Sequence, residues 1–148
     1  MLVRLASVFC LSAVVLLAGC GPSPHFAHTS TEDGFYRQIN RTDRPVLVEF
    51  YKDGCPACIR LAGTMDSLAR EYGDRVHFVM MEQQPSEDGI SDSRRVRSQY
   101  GFYQFPTVAL FVNGDLRAHW VNEHDRGVYT DALDAAVAET GVRPAPAR

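Results

Sequence analysis

The sequence predicts an α/β domain with a central mixed sheet, helices on its flanks, and a C-terminal β-hairpin followed by a helix. Two near-continuous apolar runs, RPVLVEFY and RVHFVMME, are typical of strands that are buried on both faces. A third stretch, TVALFVNGDLRAHWV, holds two strands around Asn113-Gly114, a dipeptide that favours a two-residue hairpin turn. Segments with helical periodicity separate these strands, and this alternation predicts the α/β class.

Four helices are indicated by apolar residues that recur at intervals of three and four. The element order is therefore helix, strand, helix, strand, helix, strand, strand, helix. Strands joined through helices favour parallel pairing, so we expect only the final hairpin to add an antiparallel edge. The predicted helices are EDGFYRQINR, ACIRLAGTMDSLAREYG, SRRVRSQYG and DRGVYTDALDAAVAETG.

The N-terminus, MLVRLASVFCLSAVVLLAG, has one basic residue, an apolar run and then small residues, which is typical of a secretory signal peptide. The apolar run is shorter than the ~20 residues that a membrane-spanning helix needs, although an uncleaved anchor is the alternative. The segment that ends it, LAGC, resembles the bacterial lipobox. This resemblance implies that Cys20 becomes the lipid-modified first residue of the mature chain.

Acyl chains on Cys20 would anchor the protein to a membrane without spanning it, because each buried methylene contributes ~0.8 kcal/mol. Gly21 follows, and by resemblance to the sorting pattern of Gram-negative lipoproteins it favours the outer membrane. We expect a lipid-anchored protein of the cell envelope or periplasm. The predicted organisation is a signal peptide over residues 1–19, a lipidated cysteine and tether over 20–31, a domain over 32–141 and a loose tail over 142–148.

The composition restricts the range of partners. The chain has 148 residues with 15 basic and 18 acidic side chains, a formal net charge of −3, and no basic block. This balance argues against nucleic acid as a partner. The length suits one domain with a single core, and we expect a monomer.

The CPAC motif, Cys55 to Cys58, carries the functional prediction. Cys10 is lost with the signal peptide and Cys20 is lipidated, so these two are the only free thiols. Cys55 lies between a strand and a helix, with Pro56 at the first helical position. The unpaired N–H groups and the dipole at the helix N-terminus stabilise a thiolate on Cys55. We expect Cys58, one turn later, to be the more buried, resolving thiol.

Two other interpretations of the cysteine pair are a structural disulfide in an exported protein and half of a zinc site. Zinc needs further ligands, and the chain has no second cysteine pair. His119 and His124 are expected at the surface, so we predict no metal.

VLVEFYKDGCPAC together with YGFYQFPTVALFVNGD resembles the thioredoxin family, and the similarity extends from about Glu32 to Gly141. The resemblance implies a thioredoxin-like fold and protein-disulfide oxidoreductase activity. It also implies that Glu49, upstream of CPAC, is a buried acid that accepts the proton of the resolving thiol. Pro106 is implied to be a cis proline opposite CPAC, beside a groove that takes a substrate peptide in strand-like fashion. The predicted groove residues are Pro56, Ala57, Phe105 and Thr107.

The chain departs from the family pattern at three places. Gly54 stands where thioredoxins usually have tryptophan, and Pro56-Ala57 replaces the usual Gly-Pro. The lysine that the family places near its buried acid has no counterpart, since Lys52 is the only lysine. These changes affect substrate range and redox potential, and they leave the thiol chemistry intact.

Two of the implied roles have alternatives. Glu49 could be an exposed strand residue, although apolar neighbours on both sides favour burial. Phe105 could pack in the core, or it could join Phe102 and Tyr103 in an aromatic rim for the substrate.

We therefore expect a membrane-anchored thiol-disulfide oxidoreductase of the cell envelope that reduces or exchanges disulfides in exported proteins. Cys55 attacks the substrate disulfide, and Cys58 resolves the mixed disulfide that forms. Glu49 accepts the proton of the resolving thiol, and Pro106 shapes the peptide groove. No cofactor is required beyond the redox-active disulfide, and a membrane electron donor or acceptor is the expected partner. The alternatives are a disulfide oxidase or isomerase, and a non-catalytic thioredoxin-fold binding or assembly protein.

Overall fold

A computed structural model describes residues 25–41, 43–86 and 89–142 of the chain. The predicted signal peptide, the lipidation residue Cys20 and the predicted tail beyond Val142 lie outside these residues. The strands are β1 (Phe26–Thr29), β2 (Val46–Tyr51), β3 (His77–Glu82), β4 (Thr107–Val112) and β5 (Asp115–Val121). The helices are α1 (Glu32–Ile39), α2 (Pro56–Tyr72), α3 (Asp92–Tyr100) and α4 (Arg126–Thr140), with a short 3₁₀ turn at Gly73–Arg75.

The strands form one mixed sheet in the order β1-β3-β2-β4-β5. The central strands β2 and β4 are buried along almost their whole length, which confirms the prediction of a central strand from the run RPVLVEFY. One apolar cluster joins α2 and α4 to one face of the sheet, and a second joins α1 and α3 to the other face. The thioredoxin-like architecture expected from the sequence is therefore present.

The direction of β4 differs from the prediction. β4 runs antiparallel to β2, so the expectation that only the hairpin would be antiparallel is wrong. Thr107, the first residue of β4, pairs with Phe50 near the end of β2, and β3 also ends there, because Tyr51 pairs with Glu82. α3 and its flanking loops thus return the chain to the end of the sheet that it has just left. A parallel strand would have needed a crossover to the opposite end.

β1 lies within the residues predicted as a tether, so the prediction of a loose segment over 20–31 is wrong for Phe26–Thr29. This strand pairs in parallel with β3, so the backbone N–H and C=O groups along one edge of β1 have hydrogen-bond partners. The ring of Phe26 also packs edge-on against Phe78, with centroids 5.9 Å apart. The folded domain therefore begins before Glu32.

The helix ends and the hairpin follow local sequence signals. The hydroxyl of Thr31 caps α1 by accepting a hydrogen bond from the N–H of Gly34 at 3.1 Å. Gly101 ends α3 in the left-handed conformation. Asn113 and Gly114 have φ values of 54° and 85°, as a two-residue turn between β4 and β5 requires, so the hairpin prediction is confirmed.

Candidate active site

The cysteine pair lies where β2 leads into α2. Cys55 is the N-cap of α2, and its sulfur accepts a hydrogen bond from the backbone N–H of Cys58 at 3.3 Å. The two side chains form a disulfide, and their Cα atoms are 5.3 Å apart. Pro56 occupies the start of the helix as predicted. A backbone N–H directed at the sulfur of Cys55 favours negative charge there once the disulfide is opened.

The two cysteines are equally exposed to solvent, at 6% each. The expectation that Cys58 is the more buried of the two is therefore wrong when judged by exposed area. Cys55 nevertheless lines an open cleft of about 620 Å³, and Cys58 does not. We call this depression the Cys55 cleft. An incoming group can reach Cys55 directly from it.

Three of the four predicted groove residues line the Cys55 cleft: Pro56, Ala57 and Phe105. Thr107 does not, because its side chain is fully buried and its hydroxyl donates to the carbonyl of Gln104 at 2.8 Å. Thr107 therefore stabilises the turn before β4 and is not part of the cleft wall.

The peptide bond between Phe105 and Pro106 is cis, as the resemblance implied. No backbone hydrogen bond of Phe105 is found in the described part of the chain, whereas the carbonyl of Pro106 accepts one from Asn122 at 2.9 Å. Phe105 thus presents a free N–H and a free C=O beside the cleft. Tyr103 is 74% exposed and Phe102 only 1%, so Tyr103 alone can form an aromatic rim with Phe105.

Glu49 lies in the middle of β2, between Met80 of β3 and Val108 of β4. It is 2% exposed, and its Oε2 has no hydrogen-bond partner within the described residues. Burial raises the pKa of Glu49 to about 7. The prediction that Glu49 is a buried acid is confirmed. A carboxyl group with this pKa can take up or release a proton near neutral pH.

Glu49 lies on the same face of the sheet as the cysteine pair. Side chains alternate along a strand, so Glu49 shares its face of β2 with Leu47. Leu47 belongs to the apolar cluster under α2, the helix that begins at CPAC. Burial alone raises the pKa of Glu49, with no contribution from a nearby cation. This agrees with the missing counterpart of the family's lysine.

Two cations lie close to the ring of Phe105, an arrangement that no sequence pattern indicates. The guanidinium of Arg97 lies 4.1 Å from the ring centroid and the ammonium of Lys52 lies 5.9 Å from it. Arg97 is 7% exposed and donates from Nη1 to the carbonyl of Phe102 at 3.0 Å and from Nη2 to Oε1 of Gln83 at 2.6 Å. In the run RRVR, no periodic signal distinguishes Arg97 from a solvated arginine.

Gly54, which stands in place of the usual tryptophan, has a φ of +67°. Its N–H donates to the carboxylate of Asp53 at 2.8 Å, which closes the turn between β2 and α2. A residue with a Cβ adopts this left-handed conformation at a cost, so the turn itself favours glycine. No atom lies within 4 Å of where a Cβ would be, and the Cys55 cleft is open on this side.

Among the residues that the structure describes, no group of three or more His, Cys, Asp or Glu side chains is placed to hold a metal ion. The zinc interpretation of CPAC therefore finds no ligand set there. Within the same ranges, no helix combines the length and the apolar character that crossing a bilayer requires.

A disulfide at a strand–helix junction, on a mixed five-stranded sheet with helices on both faces, defines the class of thioredoxin-fold thiol-disulfide oxidoreductases. The thioredoxin family model matches residues 26–138, and the chain belongs to the thioredoxin family. Its activity is accordingly that of a protein-disulfide oxidoreductase.

Known thioredoxins resemble the chain over most of the domain. The thioredoxin of Rickettsia felis is 29% identical over 111 residues, which cover 75% of this chain and 99% of the relative. The chloroplastic thioredoxin M3 of Oryza sativa subsp. japonica is 26% identical over 121 residues, 82% of this chain and 65% of the relative. A solved structure of a mutant thioredoxin from Halobacterium salinarum has a TM-score of 0.63 at 20% identity and covers 85% of this chain and 99% of its own. This last likeness shows the shared fold.

Replacing Glu49 by glutamine should stabilise the oxidised protein above neutral pH. The pKa of Glu49 rises from 4.5 to about 7 on folding, so between these values the unfolded chain ionises while the folded chain keeps its proton. The contribution of Glu49 to the free energy of unfolding is therefore most favourable below pH 4.5, falls as the pH rises to about 7, and is constant above that. By linkage the gain for Glu49→Gln approaches about 3 kcal/mol at about pH 8. Urea unfolding of both proteins across this pH range measures the difference in their free energies of unfolding. A difference that does not change with pH would contradict a raised pKa for Glu49.

Proposed function

We propose that the protein is a lipid-anchored thiol-disulfide oxidoreductase of the bacterial cell envelope, which reduces or exchanges disulfides in exported proteins through Cys55 and Cys58. The observation that carries the proposal is the disulfide at the N-terminus of α2, with only Cys55 lining an open cleft. The buried carboxyl of Glu49 on the adjoining strand supplies a proton acceptor.

In the first step the thiolate of reduced Cys55 attacks one sulfur of a substrate disulfide. A mixed disulfide forms between Cys55 and the substrate, and the other substrate sulfur leaves as a thiolate. Two features support Cys55 as the attacking residue: it lines the cleft, and the backbone N–H of Cys58 points at its sulfur.

In the second step Cys58 attacks the sulfur of Cys55, which re-forms the intramolecular disulfide and releases the second substrate thiolate. Cys58 must lose its proton to do this, and the carboxylate of Glu49 accepts it. Glu49 is suited to this role because burial places its pKa at about 7, so the ionised and protonated forms are both accessible near neutral pH.

The substrate peptide lies along the Cys55 cleft in an extended conformation. The free backbone N–H and C=O of Phe105 are available to pair with it as a strand would. Pro106 follows with no N–H of its own and shapes the groove. Pro56, Ala57 and the exposed ring of Tyr103 supply the apolar contacts.

Each turnover leaves Cys55 and Cys58 oxidised, so a further turnover needs two electrons and two protons from a dithiol reductant. We assign this role to a dithiol electron donor in the membrane. No cofactor beyond the redox-active disulfide takes part. With an electron acceptor in place of the donor, the same residues would run the exchange in the oxidising direction.

The lipid anchor is assigned to Cys20, which lies outside the described residues. Because β1 begins at Phe26, the proposed tether shortens from residues 20–31 to residues 20–25. Fully extended, this tether reaches only ~20 Å, so the domain would work close to the membrane surface. That location suits exchange with a membrane-bound electron donor.

Cys58→Ser should trap mixed disulfides with substrate proteins, because the first attack still occurs and the resolving attack cannot. Cys55→Ser should trap almost none, since Cys58 does not line the cleft. Non-reducing gels after acid quench, with oxidised insulin and with envelope extracts, measure the trapping. The variant that lacks both thiols controls for non-specific adducts. Equal trapping by the two single variants, or by neither, would favour an inert disulfide in a binding protein.

Glu49→Gln should slow the resolving step by about 10²-fold, because the proton acceptor is lost while the side-chain volume is kept. The wild-type rate should rise with pH through the pKa of Glu49, about 7, since only the carboxylate accepts a proton. Release of thiopyridone from a mixed disulfide at Cys55 measures this step by stopped flow. If the rate of the resolving step depends on pH identically in the two proteins, Glu49 is not the proton acceptor.

Cys20→Ala should yield an unlipidated, unprocessed precursor in a Gram-negative host, since acylation and cleavage both depend on that sulfur. Cys10→Ala is the matched control, because it removes a cysteine of the same N-terminal segment and leaves LAGC unchanged. Incorporation of labelled palmitate and gel mobility measure the outcome. Processing of the wild-type chain to a soluble product in the presence of globomycin would refute the anchor.

A further inference from the structure

A second cleft, of about 790 Å³, lies next to the Cys55 cleft, and the two share Lys52 and Tyr103. The end of β3, the loop that follows it, and α3 line this second cleft, which we call the α3 cleft. Since the two clefts adjoin at Lys52 and Tyr103, a polypeptide bound at Cys55 can extend along the protein surface towards the α3 cleft.

Arg97 is a buried charge in the wall of the α3 cleft. A guanidinium has five N–H donors, and two of them donate to Phe102 and Gln83. Within the described part of the chain, its buried Nε has no hydrogen-bond partner and no carboxylate forms an ion pair with the guanidinium. A buried charge without a counter-charge is unfavourable, so the site favours an anionic ligand.

Among the described residues that line the two clefts, basic side chains outnumber carboxylates by four to two, although the whole chain has a formal net charge of −3. None of the basic residues that line the clefts forms an ion pair with a described residue. Two carboxylates, Asp53 and Glu82, oppose them in the α3 cleft. Local positive charge on an acidic protein attracts anionic ligands to this one region. The basic lining residues are Lys52, Arg60, Arg94 and Arg97.

We propose that the α3 cleft is a specificity site for acidic polypeptide, in which Arg94 and Arg97 bind Asp or Glu side chains a few residues from the substrate cysteine. This inference rests on the proposed function, since the cleft acts on a substrate held at Cys55. Arg97 also stacks on Phe105, so one guanidinium contacts the bound carboxylate and the ring that lines the Cys55 cleft. The preferred substrates are exported proteins whose disulfides lie in acidic segments.

The test uses two synthetic peptides that are identical except that three Asp residues near the cysteine in one are Asn in the other. The peptide cysteine carries a neutral 2-thiopyridine group as a mixed disulfide. Reduced protein converts this disulfide to peptide thiol and thiopyridone and is itself oxidised at Cys55 and Cys58. The wild-type second-order rate constant should be about tenfold higher for the Asp peptide, and high salt should reduce this ratio.

Arg94→Gln should bring the ratio of the two rate constants to within about twofold of one. Arg37→Gln is the matched control, because Arg37 is exposed on α1, forms no ion pair with a described residue and changes the net charge equally. Arg97→Lys keeps the charge and loses the forked geometry, so it should lower the ratio while the fold, checked by circular dichroism, is kept. A wild-type ratio near one, or equal losses in Arg94→Gln and Arg37→Gln, would overturn the proposal.

A second measurement separates this site from the redox function. Peptides with serine in place of the reactive cysteine are titrated into the oxidised protein and followed by calorimetry. Preferential binding of the Asp peptide, lost in Arg94→Gln, supports the α3 cleft even if neither peptide is reduced in the kinetic test. Equal reduction of both peptides without preferential binding would refute the cleft and leave the oxidoreductase function standing.

Glu87 and Asp88 are the rival source of negative charge, and both lie outside the described residues. If they neutralise Arg97 within the chain, the double variant E87Q/D88N should lose stability in urea, and the wild type should show no preference for the Asp peptide. That pair of results would overturn the proposal, whereas unchanged stability of the double variant together with a wild-type preference for the Asp peptide supports an external carboxylate.

Discussion

The burial of β2 between two helical layers is the constraint on which the rest of the structure depends. Its side chains enter apolar clusters on both faces, and its backbone pairs with β3 and β4. The strand leads through a short glycine turn into Cys55, and Leu61 and Met65 hold α2 against the sheet. The sulfur of Cys55 is therefore presented from a rigid junction, which is what a nucleophile that must meet a second sulfur in line requires.

The burial of β2 also explains the raised pKa of Glu49, the buried acid of the site. Glu49 occupies a position that an apolar residue would fill at lower cost, and its Oε2 has no hydrogen bond within the described residues. The thioredoxin family's cationic neighbour is missing here, so desolvation acts alone on the carboxyl group and raises its pKa to about 7. The burial of this carboxyl group costs stability in the strand that leads to the thiols, and under the proposed mechanism the same group accepts the proton of Cys58.

Charge links the thiol site to its surroundings. Arg97 joins helix α3 to two other segments of the chain, because it contacts Gln83 after β3 and both Phe102 and Phe105 in the loop between α3 and β4. One buried guanidinium thus contacts residues that line the Cys55 cleft and residues that line the α3 cleft. Gly54 also lines the Cys55 cleft but contributes no side chain to it, and no atom lies within 4 Å of where its Cβ would be.

The sequence alone determined the features that local chemistry specifies. The run RPVLVEFY is apolar enough to identify a central strand, Asn113-Gly114 favours one kind of turn, and CPAC with Pro56 identifies a dithiol at a helix N-terminus. Tertiary structure decided the rest, because it depends on where distant segments meet. Phe26–Thr29 is too short to show a strand pattern and becomes β1 only by pairing with β3. The direction of β4 depends on the end of the sheet to which α3 returns the chain. The burial of Arg97 likewise arises only when Gln83, Phe102 and Phe105 assemble around it, since no short stretch of sequence contains them all.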